Sequence, residues 1–276
     1  VSLSADFLGT WVSPVEYTKQ YVTNRNNKSL EAKKMSRHIQ FETILSITGT
    51  NADSRYTHKP SQQGLAVLAL YNAIASKTGA ATVAGVSVPF EKIINETANE
   101  LLNAKGKSLV VCGSNDVSIQ VAINAINSLL GNYGTTIDLD NASYQKQGND
   151  AEMIDLVSEM NAGKVDAIIF YNANPVYNYA KGAEFAEALK KVKTKISFAD
   201  RADETATLCD VIAPSTHYLE SWDDISAKRG TYSVVQPTIS PVYNARAAQS
   251  SLLTLADSTV DYFTYIRNYW EKNIFP

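Results

Sequence analysis

The sequence is poor in the residues that hold redox metals. Its 276 residues include two cysteines and three histidines. The cysteines, Cys112 and Cys209, lie far apart in apolar, strand-like segments, and the histidines show no close pairing. Because an iron–sulfur cluster needs about four thiolates at close spacing, this segment is not expected to hold a cluster or a redox metal by itself. Cysteine behaves as a small apolar residue in cores, so both thiols are predicted to be free and buried.

Long apolar runs and an excess of one charge are also missing. No run reaches about 18 apolar residues, the length of a membrane-spanning helix. The chain has 25 Lys and Arg against 28 Asp and Glu, with a formal net charge of −3, and these charges are scattered. The sequence therefore argues against a membrane span and against nucleic-acid binding. The first residues carry no initiator Met and no signal sequence, so we expect a segment of a larger protein.

Common catalytic signatures are absent as well. The chain contains no glycine-rich phosphate loop of the G-x-G-x-x-G or G-x-x-x-x-G-K type and no G-x-S-x-G nucleophile motif. Glu220, Asp223 and Asp224 form an acidic group around Trp222, which is predicted to be a solvated loop rather than an acid–base pair. No catalytic residue is predicted.

The whole chain has the sequence pattern of an α/β protein. It is predicted to fold as one α/β segment, 1–276, or as two lobes. The first lobe, 1–105, reads as irregular α/β, with a half-buried strand at 41–47 and helices at 15–21, 64–77 and 89–102. The second lobe, 106–276, repeats strand–turn–helix units, which is typical of a doubly wound parallel sheet. Its predicted strands are 108–112, 165–171, 195–199, 210–214 and 232–239. Its predicted helices are 117–130, 152–161, 183–192 and 250–270.

Small and amide side chains follow the predicted strands of the second lobe. Ligands of open parallel sheets bind at the carboxyl ends of the strands, where backbone N–H groups can approach a phosphate closely. The same residue types also cap helices and close turns, and the sequence leaves both interpretations open. The candidate cofactor-binding residues are Gly113, Ser114, Asn174, Asp200, Glu204 and Thr205.

The order of motifs at these strand ends resembles that of molybdopterin oxidoreductases. Asn174-Pro175 follows a strand, Asp200 and Glu204-Thr205-Ala206 come about 25 residues later, and Asp210-Val211-Ile212-Ala213-Pro214 and Glu220 complete the series. Members of that family have parallel α/β domains that bind a molybdopterin guanine dinucleotide. The resemblance implies that the strand-end candidates would contact the nucleotide of that cofactor.

Further motifs resemble one branch, the molybdopterin-oxidoreductase-like subunit of bacterial alternative complex III. They are Asp6-Phe7-Leu8-Gly9-Thr10-Trp11, Thr48-Gly49-Thr50-Asn51-Ala52-Asp53-Ser54-Arg55, His217-Tyr218-Leu219-Glu220-Ser221-Trp222-Asp223-Asp224 and Val234-Val235-Gln236-Pro237-Thr238-Ile239-Ser240-Pro241. This resemblance implies a segment at the periplasmic face of a bacterial inner membrane, within a quinol-oxidising respiratory complex. It also implies other subunits and a ferredoxin-like iron–sulfur domain of the same parent chain as partners.

Two departures from the family pattern bear on function. Asn172 stands where active members commonly have glycine, and the stretch after Glu220 lacks the Gly-Thr…Asn…Glu-Gly-Arg pattern that frames the pterin. The first hypothesis is therefore a cofactor-free scaffold. The alternatives are a fragment of an active enzyme that binds the pterin guanine dinucleotide, and a stand-alone nucleotide-binding module.

Overall fold

The computed structural model describes residues 1–275. The chain divides between Lys146 and Gln147 into two compact units. The first unit is built on a four-stranded parallel sheet with the strand order β3-β2-β1-β4. Its strands are β1 (Ser2–Leu3), β2 (Ile39–Glu42), β3 (Ser54–Thr57) and β4 (Val111–Cys112). Its helices are α1 (Pro14–Thr23), α2 (Asn27–Glu31), α3 (Ile47–Thr50), α4 (Gln63–Thr78), α5 (Glu91–Asn103) and α6 (Val117–Leu129).

The core of the first unit lies between the sheet and the apolar faces of α4, α5 and α6. The helix α4 ends at Gly79, whose φ of 77° is the left-handed conformation that glycine adopts without strain. Burial of each large apolar side chain contributes about 1.5–3 kcal/mol. The largest of these buried side chains are Leu3, Phe41, Leu70, Ile74, Ile94, Ile126 and Leu130.

The predicted lobe boundary at residue 105 does not coincide with the division between the units. β4 pairs with β1, and α6 packs on α4, so the segment 106–146 belongs to the first unit. The predicted strand at 41–47 also differs from the structure. β2 covers Ile39–Glu42 and lies between β1 and β3, and all four of its residues are buried.

The second unit contains a three-stranded parallel sheet with the order β5-β6-β7 and an antiparallel hairpin of β8 and β9. Its strands are β5 (Ala167–Phe170), β6 (Thr194–Ser197), β7 (Val211–Ile212), β8 (Asp223–Lys228) and β9 (Thr231–Val235). Its helices are α7 (Asp150–Asn161), α8 (Pro175–Asn178), α9 (Gly182–Leu189), α10 (Ala248–Leu255) and α11 (Tyr262–Asn273). Its core contains Met160, Phe170, Phe185, Leu189 and Val192.

The predicted α/β class with parallel sheets is confirmed, with three differences in detail. The strand predicted at 108–112 joins the sheet of the first unit rather than the later strands. The helix predicted at 250–270 is two helices, α10 and α11. Asp223 and Asp224 do not lie in a solvated loop; they begin β8 and are half-buried. Among the described residues, no helix is both long and apolar enough to cross a bilayer.

Candidate functional site at the strand ends

Three of the predicted site residues form one hydrogen-bonded cluster in the second unit. The side-chain amide of Asn174 donates to the Glu204 carboxylate over 2.7 Å. The Asn174 Oδ1 accepts from the Thr205 hydroxyl at 2.7 Å and from the Thr205 N–H at 3.2 Å. Thr205 is fully buried, and its hydroxyl accepts from the Val176 N–H at 3.1 Å. The amide of Asn174 and the polar groups of Thr205 are therefore satisfied by one another.

The backbone that presents this cluster depends on two unusual positions. Asn172 has a φ of 50°, in the left-handed region where asparagine is tolerated better than most residues. Asn172 therefore holds this left-handed turn without a glycine at its position. A Cβ at Gly182 would lie 2.1 Å from the Val176 carbonyl oxygen, so only glycine allows α9 to begin this close to α8.

The structure does not place Asp200 in this cluster. Its carboxylate pairs with the guanidinium of its neighbour Arg201 at 2.9 and 3.0 Å, and both side chains are exposed. The Arg201 hydrogen bond holds the pKa of Asp200 below its usual value. The residue that caps the next turn is Asp203, which accepts from the Ala206 N–H at 2.7 Å. Sequence reasoning missed Asp203, although an aspartate three residues before a turn is a common capping signal.

Gly113 and Ser114 belong to the first unit, where they follow β4. The Gly113 N–H donates to the Leu3 carbonyl at 3.0 Å. A Cβ at Gly113 would lie 2.2 Å from the Ser4 carbonyl oxygen, so the close approach of the two strand ends requires glycine. The Ser114 hydroxyl accepts from the Asp116 N–H, and the Ser114 carbonyl accepts from the side-chain amide of Gln120.

The ends of β1 and β4 form the topological switch point of the first sheet. The chain leaves β1 toward β2 on one side, and β4 lies on the other side of β1. In open parallel sheets, such a point creates a crevice that commonly binds ligands. At this crevice, the N terminus of α6 is capped by Asp116, whose carboxylate accepts from the Ser118 and Ile119 N–H groups at 2.8 and 3.2 Å. The protein's own carboxylate thus fills the position that suits an anion.

The segment that departs from the family pattern after Glu220 is used for packing. The Glu220 carboxylate accepts from the Val242 and His217 N–H groups at 3.0 Å, and these bonds hold the pKa of Glu220 below its usual value. The next residues enter the β8–β9 hairpin. Asp223 accepts from the Tyr262 hydroxyl at 3.2 Å, and Asp224 accepts from the Trp270 indole at 2.7 Å.

A buried polar face on β2 and the residue before it was missed by sequence reasoning. His38, Gln40 and Glu42 are each 5% exposed or less. The Gln40 amide donates to Glu42 at 3.2 Å, and Glu42 also accepts from Ser46 and Arg55. Burial lowers the pKa of His38 to about 4. Polar residues alternating with Ile39 and Phe41 were the available signal for a strand with one polar face.

This polar face joins two of the motifs that resemble the complex III branch. The Asp6 carboxylate accepts from the N–H and hydroxyl of Thr48 at 3.0 and 2.8 Å. A Cβ at Gly49 would lie 1.9 Å from the Glu42 carboxylate. Arg55 binds Glu42 from the adjacent strand. The two motifs therefore form one structural cluster rather than separate sites.

Among residues 1–275, no group of three or more His, Cys, Asp or Glu side chains is arranged to hold a metal ion. Cys112 and Cys209 are both free, as predicted. Cys112 is buried, but Cys209 is only half-buried. Cys209 lies just after a short 3-10 turn rather than inside a strand, which leaves part of its side chain accessible.

Comparisons with known proteins agree with this architecture. The molybdopterin-binding-like subunit of menaquinone reductase from Nitratidesulfovibrio vulgaris (strain Hildenborough) is 36% identical over 93 residues, which are 32% of this chain and 14% of that protein. Acetylene hydratase from Pelobacter acetylenicus has a TM-score of 0.58 at 13% identity, over 88% of this chain and 45% of that chain. This chain thus spans less than half the length of either relative. The model of the molybdopterin oxidoreductase family matches residues 21–256, and the chain belongs to that family.

Proposed function

We propose that this chain is a cofactor-free scaffold segment of a respiratory quinone-linked redox complex, where it docks electron-carrying partners. The observation that carries the proposal is the cap of α6 by Asp116. A phosphate at this helix N terminus would meet a carboxylate that already uses the Ser118 and Ile119 N–H groups. Displacing that carboxylate would cost its capping bonds and place two anions together.

The hydrogen bonding of the strand-end residues of the second unit argues against a pterin guanine dinucleotide there. Asp200 and Glu204 offer carboxylate oxygens, which can accept from a guanine edge but repel phosphates. The Val176, Thr205 and Ala206 N–H groups, which could bind a phosphate, donate to the chain's own side chains. The cluster therefore supports a structural role.

The relatives support the setting of the proposed scaffold. The Nitratidesulfovibrio protein is the molybdopterin-binding-like subunit of menaquinone reductase. By analogy, we propose that this chain works beside other subunits of a membrane respiratory complex and a ferredoxin-like iron–sulfur domain of its own parent chain. The proposed location is the periplasmic face of the bacterial inner membrane.

One observation favours the alternative of a nucleotide or pterin guanine dinucleotide site. The Ser4 hydroxyl, beside Gly113 at the switch point, is buried and has no hydrogen-bond partner among the described residues. Ser4 also has a left-handed φ of 55°. A buried hydroxyl without a partner calls for an explanation, and a bound ligand at this crevice would supply one, so this alternative is the one to test against the scaffold.

Thermal unfolding with GDP and GTP, together with metal and pterin analysis, separates the two functions. For the scaffold, we expect no saturable stabilisation and no stoichiometric molybdenum, iron or pterin in protein from a host that makes the cofactor. A bound nucleotide at about 100 times its dissociation constant would add about 2.7 kcal/mol of stability. Any saturable stabilisation would overturn the scaffold. Its loss in Asp200→Ala but not in Asp166→Ala, an exposed, ion-paired aspartate elsewhere in the unit, would place the nucleotide at the strand ends of the second unit, and its persistence in both variants would place it at another crevice such as that of Ser4 and Gly113.

A further inference from the structure

The second unit contains a cavity that belongs to neither strand-end site. It has a volume of about 310 Å³ and lies between the β8–β9 hairpin and α11. This volume is at the lower end of the range of about 300–1,000 Å³ that is usual for small-molecule pockets. We call it the tyrosine pocket. Its lining includes Tyr232, Tyr262, Tyr265, Tyr269 and Asp224.

The tyrosine pocket combines aromatic rings with uncompensated negative charge. Asp224 lines it, and Asp223 is bonded to the Tyr262 hydroxyl at its edge. Both aspartates are half-buried. Within the described part of the chain, neither carboxylate forms an ion pair with Lys, Arg or His. Their hydrogen-bond donors are the neutral groups of Gln249, Tyr262 and Trp270 and a backbone N–H.

The surroundings of Tyr262 combine burial with the same negative charge. Burial raises the pKa of Tyr262 well above its usual value, and the charges of Asp223 and Asp224 raise it further. Burial disfavours a charge of either sign, whereas the negative field of the two carboxylates favours a cation. Tyrosine faces attract cations within about 6 Å of the ring centroid, so the rings and the carboxylates favour the same ligand charge.

From this combination we propose that the tyrosine pocket binds an alkylammonium cation. The ammonium group would lie against the Asp224 carboxylate, and its alkyl substituents would contact the rings and the aliphatic residues Ile225 and Ile274, which also line the pocket. Such a group can belong to a free small molecule or to a lysine side chain of a partner. This binding is independent of the proposed scaffold function and of the strand-end residues.

Titration of the intact chain with choline tests the proposal through tryptophan fluorescence, because the indole of Trp270, one of the three tryptophans, is bonded to Asp224. The uncharged isostere 3,3-dimethylbutan-1-ol is the ligand control, and Nα-acetyl-lysine methylamide represents a lysine side chain. We expect saturable binding of choline or of the lysine amide, weakened by salt, and no comparable binding of the isostere. The stronger of the two cations identifies the source of the ammonium group.

Two variants and one control variant test whether the cation binds in the tyrosine pocket. Asp224→Asn keeps an acceptor for Trp270 but removes the charge, and Tyr265→Leu removes a half-exposed ring. Each should weaken binding about tenfold or more, equivalent to about 1.4 kcal/mol. Tyr243→Leu changes an exposed tyrosine outside the pocket and should leave binding unchanged. Equal binding of the isostere, no saturable response to either cation, or equal effects of all three variants would overturn the proposal.

Discussion

Asn174 donates a 2.7 Å hydrogen bond from its side-chain amide to the carboxylate of Glu204. The bond links the loop after β5 to the loop after β6, and it holds the pKa of Glu204 below its usual value. Residues that the family resemblance assigns to cofactor contacts thus stabilise one another. Thr205 is the buried member of this cluster. The hydrogen bonds of its hydroxyl are the ones whose loss should reduce stability most.

The Thr205 hydroxyl gives a direct test of this structural role. Thr205→Val keeps the shape of the side chain but leaves the Val176 N–H without its acceptor and Asn174 without one donor. We expect a loss of about 1–3 kcal/mol, the cost of unsatisfied buried polar groups. Urea unfolding measures it. The control Thr207→Val removes an exposed hydroxyl and should change stability by less than about 0.5 kcal/mol; equal losses would contradict the cluster.

Asp203 and Asp200 should differ in their effect on stability. Asp203 caps the Ala206 N–H, so Asp203→Ala should cost about 0.5–2 kcal/mol, the range for a lost cap. Asp200 forms an exposed pair with Arg201, and Asp200→Ala should cost no more than about 1 kcal/mol. Chemical denaturation of the two variants measures both values. A larger loss for Asp200 would show that the cap is assigned to the wrong aspartate.

The sequence predicted the α/β class and most helices because apolar periodicity and glycine at helix ends are local signals. It also predicted Asn174, Glu204 and Thr205 as site residues, and in the structure Asn174 is hydrogen-bonded to both of the others. The local sequence could not predict that the strand at 108–112 pairs within the first sheet, because strand pairing depends on contacts between distant segments. The buried Glu42–Arg55 pair was missed for a related reason, since a charged residue in a strand looks exposed until its partner on the next strand is known.

Gly113 should be intolerant of any side chain. The Cβ of Gly113→Ala would lie 2.2 Å from the backbone carbonyl of Ser4, and a backbone atom cannot move aside without disturbing β1. We expect a loss of about 1–3 kcal/mol, as for other overpacked sites. Gly148→Ala is the matched control, because a Cβ there has open space. Thermal unfolding that shows Gly113→Ala as stable as the control would remove the packing explanation for this glycine.

The two thiols should react at different rates in the native protein. Cys112 is buried, whereas Cys209 is half-buried and its pKa is raised, chiefly by burial. Because the thiolate is the reactive form, a maleimide or disulfide reagent should label Cys209 slowly and faster at higher pH. Cys112 should react only after unfolding. Mass spectrometry of wild type and Cys209→Ser checks this, and native labelling of the Cys209→Ser protein would contradict the burial of Cys112.

His38 should make the protein less stable in mild acid. Burial lowers its pKa from 6.5 to about 4, so between these values the unfolded chain binds a proton that the folded protein does not. Stability must therefore fall as pH decreases from about 6.5 toward 4, by about 3 kcal/mol at most. Asp53, whose pKa is lowered to about 2 by its hydrogen bond to Arg25, loses its contribution only below its unfolded value of 3.8 and thus outside this window.

The variant His38→Gln isolates this effect from other groups. Glutamine lies within reach of Tyr21 and Gln40 but does not titrate, and we expect a shallower decline of the unfolding free energy between pH 6.5 and 4.5. His217→Gln, at an exposed histidine, controls for the loss of one imidazole. Urea unfolding across this pH range gives the slopes, and identical slopes for wild type and His38→Gln would show that His38 is not held neutral by burial.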